Sequence, residues 1–80
     1  MPIEYNQDRA LFKEEVSVEE AEGLLDWLSS RPAAKVDLYQ CSHMHTANLQ
    51  VLMSAQRTIV RWPQNPDLRA WLEPALGRGE

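Results

Sequence analysis

Three side chains with metal-binding and nucleophilic chemistry lie together in the middle of the chain. Cys41, His43 and His45 occupy alternate positions, and Thr46 follows directly. On an extended backbone, side chains two residues apart project to the same side, and sulfur with imidazole suits zinc or copper. The spacing therefore permits a small metal-binding or redox site. The same spacing is more typical of a small buried cysteine beside two histidines that are exposed or hydrogen-bonded, and no clear fourth ligand is near.

Catalytic chemistry has little support elsewhere in the chain. A Cys–His pair needs an acid to orient the imidazole, and only Asp37 is close in sequence. None of the three glycines, Gly23, Gly77 and Gly79, forms a phosphate-binding loop motif. A chain of 80 residues also leaves little room for both a core and a deep cleft. We therefore predict no catalytic residue and no cofactor, and we expect a protein that is not an enzyme.

Composition and charge narrow the possible partners and the compartment. The net charge is −4, and residues 1–30 carry eight acids against two bases. That balance argues against nucleic acid, which needs a basic face, and suits either a basic protein partner or a solvated helix. One cysteine excludes an internal disulfide and fits a reducing compartment. Without a signal-like or membrane-spanning apolar run, we expect a cytoplasmic protein that does not insert into membranes.

The first half of the chain reads as a hairpin, a helix and a strand. Residues 2–16 alternate around the turn-forming segment 6–8. Ser17 and Glu20 form a capping box that predicts a helix beginning at Ser17. Residues 33–39 are typical of a strand, with Asp37 either on the face opposite the apolar residues or near the strand's end in solvent.

The second half continues the alternation. Thr46 predicts the cap of a helix that runs to about residue 57, and residues 58–62 favour a strand. Asn65 and Pro66 are typical of a helix start. The fold class predicted is α/β, a small mostly parallel or mixed sheet of about four strands with helices packed on it. We expect a single domain over 1–80, with a weak strand within 1–9 and a flexible tail at 77–80.

Over roughly residues 10–76, and most specifically from Val36 to Leu52, the chain resembles the STAS family, the domain of anti-sigma-factor antagonists and of accessory domains in anion and lipid transport. That family has a strand ending in apolar–Asp–Leu, a short loop, and Asp-Ser-(Ser/Thr)-Gly-Leu opening a helix. Here the strand is 36–38, the loop 39–44, and the helix opening His-Thr-Ala-Asn-Leu at 45–49. His45 stands where the family has aspartate, and Asn48 where it has glycine.

The resemblance implies a non-catalytic regulatory module that docks a protein partner through residues 40–52, with Thr46 as phosphoacceptor. The implied partner is a kinase-like regulator, a signalling protein or a transport ATPase. An edge strand near the N-terminus would also allow two copies to pair as a homodimer. The side chains predicted to contact the partner are Gln40, Ser42, His43, Met44, His45, Thr46, Asn48 and Leu49.

Overall fold

A computed structural model describes residues 2–76, which form a four-stranded sheet with three helices packed on it. The sheet order is β1-β2-β3-β4, with β1 antiparallel to β2 and the other neighbours parallel. This confirms the predicted fold class. The predicted tail at 77–80 lies outside the described residues. The elements are β1 (Ile3–Tyr5), β2 (Arg9–Val16), α1 (Ala21–Ser29), β3 (Lys35–Met44), α2 (Thr46–Ala55), β4 (Ile59–Arg61) and α3 (Pro66–Leu76).

Local sequence signals at the two ends of the chain are confirmed. The turn between β1 and β2 is closed by the Asn6 amide, which donates to the Arg9 carbonyl at 2.8 Å. At the start of α3, the Asn65 side chain accepts from the Leu68 amide at 3.0 Å, and Pro66 is the first helical residue. Both signals act within three residues of the chain, so the sequence alone could indicate them.

The capping box predicted at Ser17 is wrong. A short 3-10 helix, Val18–Glu20, precedes α1, and the Ser17 side chain makes no capping hydrogen bond. The Glu20 amide instead donates to the Ser17 backbone carbonyl at 3.1 Å. The chain enters α1 through this tighter turn because its backbone groups are satisfied without the serine hydroxyl.

Strand β3 is longer than the sequence predicted. The expected loop at 39–44 is wrong, because these residues continue the strand and pair with β2 as far as Val16 beside Met44. The pairing contains two register shifts, and Glu14 at the second of them has a φ of 52°. A polar segment can extend a strand in this way because a neighbouring strand satisfies its backbone groups.

The core lies between one face of the sheet and the helices. Helix α2 contacts both α1 and α3, and α3 also contacts β3. Of the two predicted positions for Asp37, the structure has the one on the face opposite Val36 and Leu38. Asp37 is only 2% exposed there, so the alternative in solvent is wrong. The largest buried core side chains are Ile3, Phe12, Leu24, Leu28, Leu38, Met44, Leu52 and Leu72.

Arg57 fastens the end of α1 to the segment after α2. Its guanidinium donates to the carbonyls of Leu28 at 2.8 Å and Arg31 at 2.7 Å, and its Nε donates to Ala55 at 3.2 Å. The first two carbonyls lie at the end of α1, where the helix dipole favours positive charge. One side chain therefore links the connection between α1 and β3 to the connection between α2 and β4.

Replacing Gln56 with glycine is expected to raise the free energy of unfolding by about 0.5 to 1 kcal/mol. Gln56 ends α2 in the left-handed region, at φ 52° and ψ 52°, where a Cβ atom is unfavourable and glycine is preferred. Urea denaturation followed by circular dichroism would measure the change. The matched control is Gln50→Gly in the middle of α2, which should lower stability by about 1 kcal/mol; a loss in both variants would contradict the prediction.

Candidate functional site

The junction between β3 and α2 lies at the carboxyl ends of the parallel strands β2 and β3. The backbone is tied to β2 there, because the His45 amide donates to the Val16 carbonyl at 2.9 Å. The chain then turns directly into α2, with Thr46 as its first residue. Hydrogen bonding to the sheet therefore fixes the backbone of this segment, which carries the exposed side chains.

His45, rather than Thr46, caps helix α2. His45 has an extended backbone, with φ −66° and ψ 144°, and its Nδ1 accepts a hydrogen bond from the Ala47 amide at 3.0 Å. The predicted cap at Thr46 is wrong, because the imidazole of His45 takes the cap position and Thr46 is the first residue of α2. Thr46 thus lies in the first helical turn with an exposed side chain.

Cys41 is separated from the two histidines by burial. The thiol is 2% exposed and donates to the His43 carbonyl at 3.4 Å, whereas His43 and His45 are exposed. The expectation that all three project to one side is wrong. The register shift places Glu14 beside Cys41 but Glu15 beside His43, so Ser42 is an extra residue that breaks the alternation. Within residues 2–76 no three His, Cys, Asp or Glu side chains are grouped closely enough to hold a metal ion.

The Cys41 thiol is expected to be unreactive and to destabilise the fold at high pH. Burial raises its pKa from the ordinary 9.0 of a thiol to about 11. At pH 8 we expect a disulfide reagent such as dithiobis(nitrobenzoate) to react at least about 100-fold more slowly than with the chain in guanidinium chloride.

The raised pKa of Cys41 also predicts how the stability of the fold changes with pH, which denaturation at several pH values would measure. As the pH rises past about 9, the unfolded chain loses the thiol proton before the folded chain does, so stability falls between about pH 9 and 11. A Cys41→Val variant should lack this part of the pH dependence. Rapid labelling of the folded protein at pH 8 would contradict the burial of the thiol.

Asn48 is a structural residue rather than a contact residue. It is fully buried, and its Nδ2 donates to the Ser17 carbonyl at 2.8 Å and to the Val16 carbonyl at 3.3 Å. Its Oδ1 is buried and has no hydrogen-bond partner among the described residues. Met44 and Leu49 are also buried, at 2% and 9% exposure. These three predicted contact residues present almost no surface, because each packs inward from the strand or the helix.

The other predicted contact residues are exposed. Helical spacing adds three side chains of α2 to them, since residues 46, 50, 53 and 54 share the outer side of that helix. We call the combined set the junction surface. It consists of Gln40, Ser42, His43, His45, Thr46, Gln50, Met53 and Ser54.

The junction surface carries no formal charge. Residues 38–56 contain no Asp, Glu, Lys or Arg over 19 positions, although 25% of the chain is charged. Met53 is 46% exposed on this surface. The sequence alone shows this stretch without charged residues. Together with helical spacing, it predicts that the outer side of α2 belongs to the site.

Asp37 is engaged in an ion pair and does not orient a Cys–His pair. Its Oδ2 accepts from Arg61 Nε at 3.0 Å and Nη2 at 2.9 Å, and its Oδ1 accepts from the Tyr39 amide at 3.0 Å. The Arg61 guanidinium also lies 4.6 Å from the centre of the Tyr39 ring. Sequence reasoning missed this group because Arg61 is 24 residues away.

An open depression of about 660 Å³ lies at the amino ends of β2 and β3, away from the junction. It contains none of the candidate residues of the polar segment 40–46. Burial, with a smaller contribution from the charge of Glu20, raises the pKa of Tyr5 in its wall. The residues that line it are Tyr5, Asn6, Gln7, Asp8, Trp27 and Arg31.

Comparison with known proteins finds no match to a family model, to a curated protein or to a solved structure. The resemblance to STAS domains thus rests on the residues of the junction and on the order of elements. Among residues 2–76, none of the helices has the length and apolar character needed to cross a membrane.

Proposed function

We propose that this chain is a non-catalytic regulatory module that binds a protein partner through the junction surface, as STAS domains of the anti-sigma-factor-antagonist type do. The partner class is a kinase-like regulator, a signalling protein or a transport ATPase, and the cytoplasm is the proposed compartment. The order of elements, strand–helix–strand–helix–strand–helix behind an antiparallel first strand, is compatible with this proposal.

The observation that carries the proposal is the uncharged, exposed junction surface on a chain that is otherwise rich in charge. Charged side chains are depleted at the centre of protein interfaces because they must be desolvated on binding. Met53, exposed among polar neighbours, supplies an adaptable apolar contact. A surface of this kind binds by shape and hydrogen bonding, and the neighbouring acidic residues of β2 and α1 would steer a basic partner toward it.

Phosphorylation of Thr46 is the proposed switch. The Thr46 side chain is exposed in the first turn of α2, where the helix dipole favours an added phosphate. The phosphate would place close to two negative charges on a surface that has none. Helix α2 would persist, and the partner would meet a changed charge rather than a changed fold.

Affinity capture from the cells that make the protein tests the docking surface. The wild-type chain should retain a stoichiometric protein partner, and His43→Glu and Gln50→Glu should each reduce its recovery at least about tenfold. The control is Gln7→Glu, which adds the same charge at an exposed turn far from the junction. Equal recovery with all three variants, or no stoichiometric partner with the wild type, would overturn the proposal.

Mass spectrometry of the same material tests the switch separately. Phosphate should map to Thr46 and disappear in Thr46→Ala, while Thr46→Ala still captures the partner. The same phosphate on Thr46→Ala would place the modification elsewhere and remove Thr46 from the mechanism.

A further inference from the structure

The depression at the amino ends of β2 and β3 brings aromatic and charged side chains together on an open surface. Its volume of about 660 Å³ is enough space for a small molecule, which would remain partly in contact with solvent. Its floor and walls come from the turn between β1 and β2 and from the end of α1. The strand-to-helix junction at residues 44–46 lies at the opposite ends of the same strands, and none of the residues of the junction surface lines the depression.

Two aromatic rings form one wall. The ring centres of Tyr5 and Trp27 are 4.9 Å apart, and their planes are inclined by 43°. Both side chains are half-buried, so each packs on the core and leaves part of its ring accessible. The Arg31 guanidinium lies 5.4 Å from the centre of the Trp27 ring. The Trp27 ring therefore already holds one cation, Arg31, and the accessible part of the Tyr5 ring is the aromatic surface that remains for a ligand.

A cation and an anion line the same depression without pairing. Asp8 and Arg31 are both exposed, and neither forms an ion pair within 4.0 Å among the described residues. Their backbones are nevertheless held, because the Asp8 carbonyl accepts from the Lys35 amide and the Arg31 carbonyl accepts from Arg57. The main chain at both positions is thus fixed, while the two charged groups remain available to a ligand.

We propose that this depression binds a small zwitterion of the betaine type, with a carboxylate and a methylated ammonium group. Arg31 would hold the carboxylate through its planar pair of N–H donors. Because Arg31 already lies over the Trp27 ring, the ammonium group would lie against the accessible part of the Tyr5 ring, with Asp8 balancing its charge. This ligand class uses all four groups of the depression at once, whereas a simple anion or a simple cation leaves one charged side chain without a role.

Nuclear magnetic resonance titration of the full chain tests the proposal with glycine betaine as the probe. The indole N–H signal of Trp27 should shift, and the apparent Kd should be at least about tenfold lower than for acetate or choline, which each carry half of the ligand's charge. No shift at Trp27 up to about 100 mM glycine betaine, or equal binding of glycine betaine and acetate, would overturn the proposal.

Matched variants show whether the depression itself is responsible. Arg31→Gln and Asp8→Asn keep the backbone hydrogen bonds and should weaken glycine betaine binding, by about tenfold for Arg31→Gln. Arg69→Gln removes an exposed arginine of α3 and should leave binding unchanged. Amide spectra that remain dispersed would show that the variants fold. Binding of wild-type strength to a folded Arg31→Gln protein would contradict the assigned role.

Discussion

Asn48→Asp is expected to lower the free energy of unfolding at pH 7 by about 3 to 5 kcal/mol, enough to unfold much of a domain of this size. The change exchanges a buried donor for a carboxylate oxygen facing the Ser17 carbonyl, from which Nδ2 now lies 2.8 Å away. An uncompensated buried charge is among the most destabilising single changes known. Urea denaturation of the purified variant would measure the loss.

Two further substitutions at Asn48 separate the charge from the lost hydrogen bonds. The Val16 and Ser17 carbonyls keep backbone donors, from His45 and Glu20 respectively, so Asn48→Ala should cost only about 1 to 2 kcal/mol. Asn48→Leu removes the same polar atoms, including the unpartnered Oδ1, but fills the space that alanine leaves empty, so it should cost less than alanine. Equal losses for aspartate and alanine would show that this side chain is not buried against the two carbonyls.

Acidification provides a second check on the same site. A protonated carboxyl group can donate one hydrogen bond to the Ser17 carbonyl, so the deficit of Asn48→Asp should shrink as the pH falls from 7 to 5. Asn48→Ala has no group that titrates there, and its deficit should stay constant. A deficit for aspartate that does not respond to pH would indicate that water reaches the side chain.

The second large effect is expected at the ion pair of Asp37 and Arg61. Arg61→Met should lower stability by about 2 to 3 kcal/mol, because the apolar side chain still covers Asp37 but offers it no positive charge. This expected loss of stability is at the low end for a buried ion pair, because only one partner is buried. The Asp37 side chain is 3% exposed, but the Arg61 side chain is 49% exposed and is screened by water.

A double-mutant cycle would isolate this pair from its surroundings. Asp37→Leu combined with Arg61→Met makes an apolar contact in place of the charges and should recover stability to within about 1 kcal/mol of wild type. Arg69→Met breaks the exposed pair of α3 and should cost less than about 1 kcal/mol. A double variant as unstable as the sum of its single variants would show that the two charges do not interact.

Much of the fold follows from short-range patterns. The turn at residues 6–8, the Asn65 cap and the alternation of strands and helices are encoded within a few positions, and the structure confirms them. The predicted junction also occupies its expected place between β3 and α2. Backbone preferences of this kind act locally and need no knowledge of the distant partners.

Apart from the capping box at Ser17, the errors lie where polar groups meet residues far away in sequence. Asn48 contacts carbonyls 31 and 32 positions earlier, and Arg57 contacts one 29 positions earlier. The buried state of Asp37 likewise depends on Arg61. Strand β3 extends beyond the prediction because β2 supplies partners for its backbone groups as far as Met44. Periodicity does not report these pairings, since it describes only one element at a time.

The amino-acid sequence alone determined the order of elements, the absence of charge over residues 38–56 and the presence of the chemically active side chains near position 43. Only the tertiary structure decided which of those side chains face solvent. It buried Cys41 and Asn48, left His43 and Thr46 exposed, and gathered Asp8 and Arg31 around two aromatic rings. The physical reason is that burial depends on which backbone and side-chain groups of the whole fold can satisfy a polar atom.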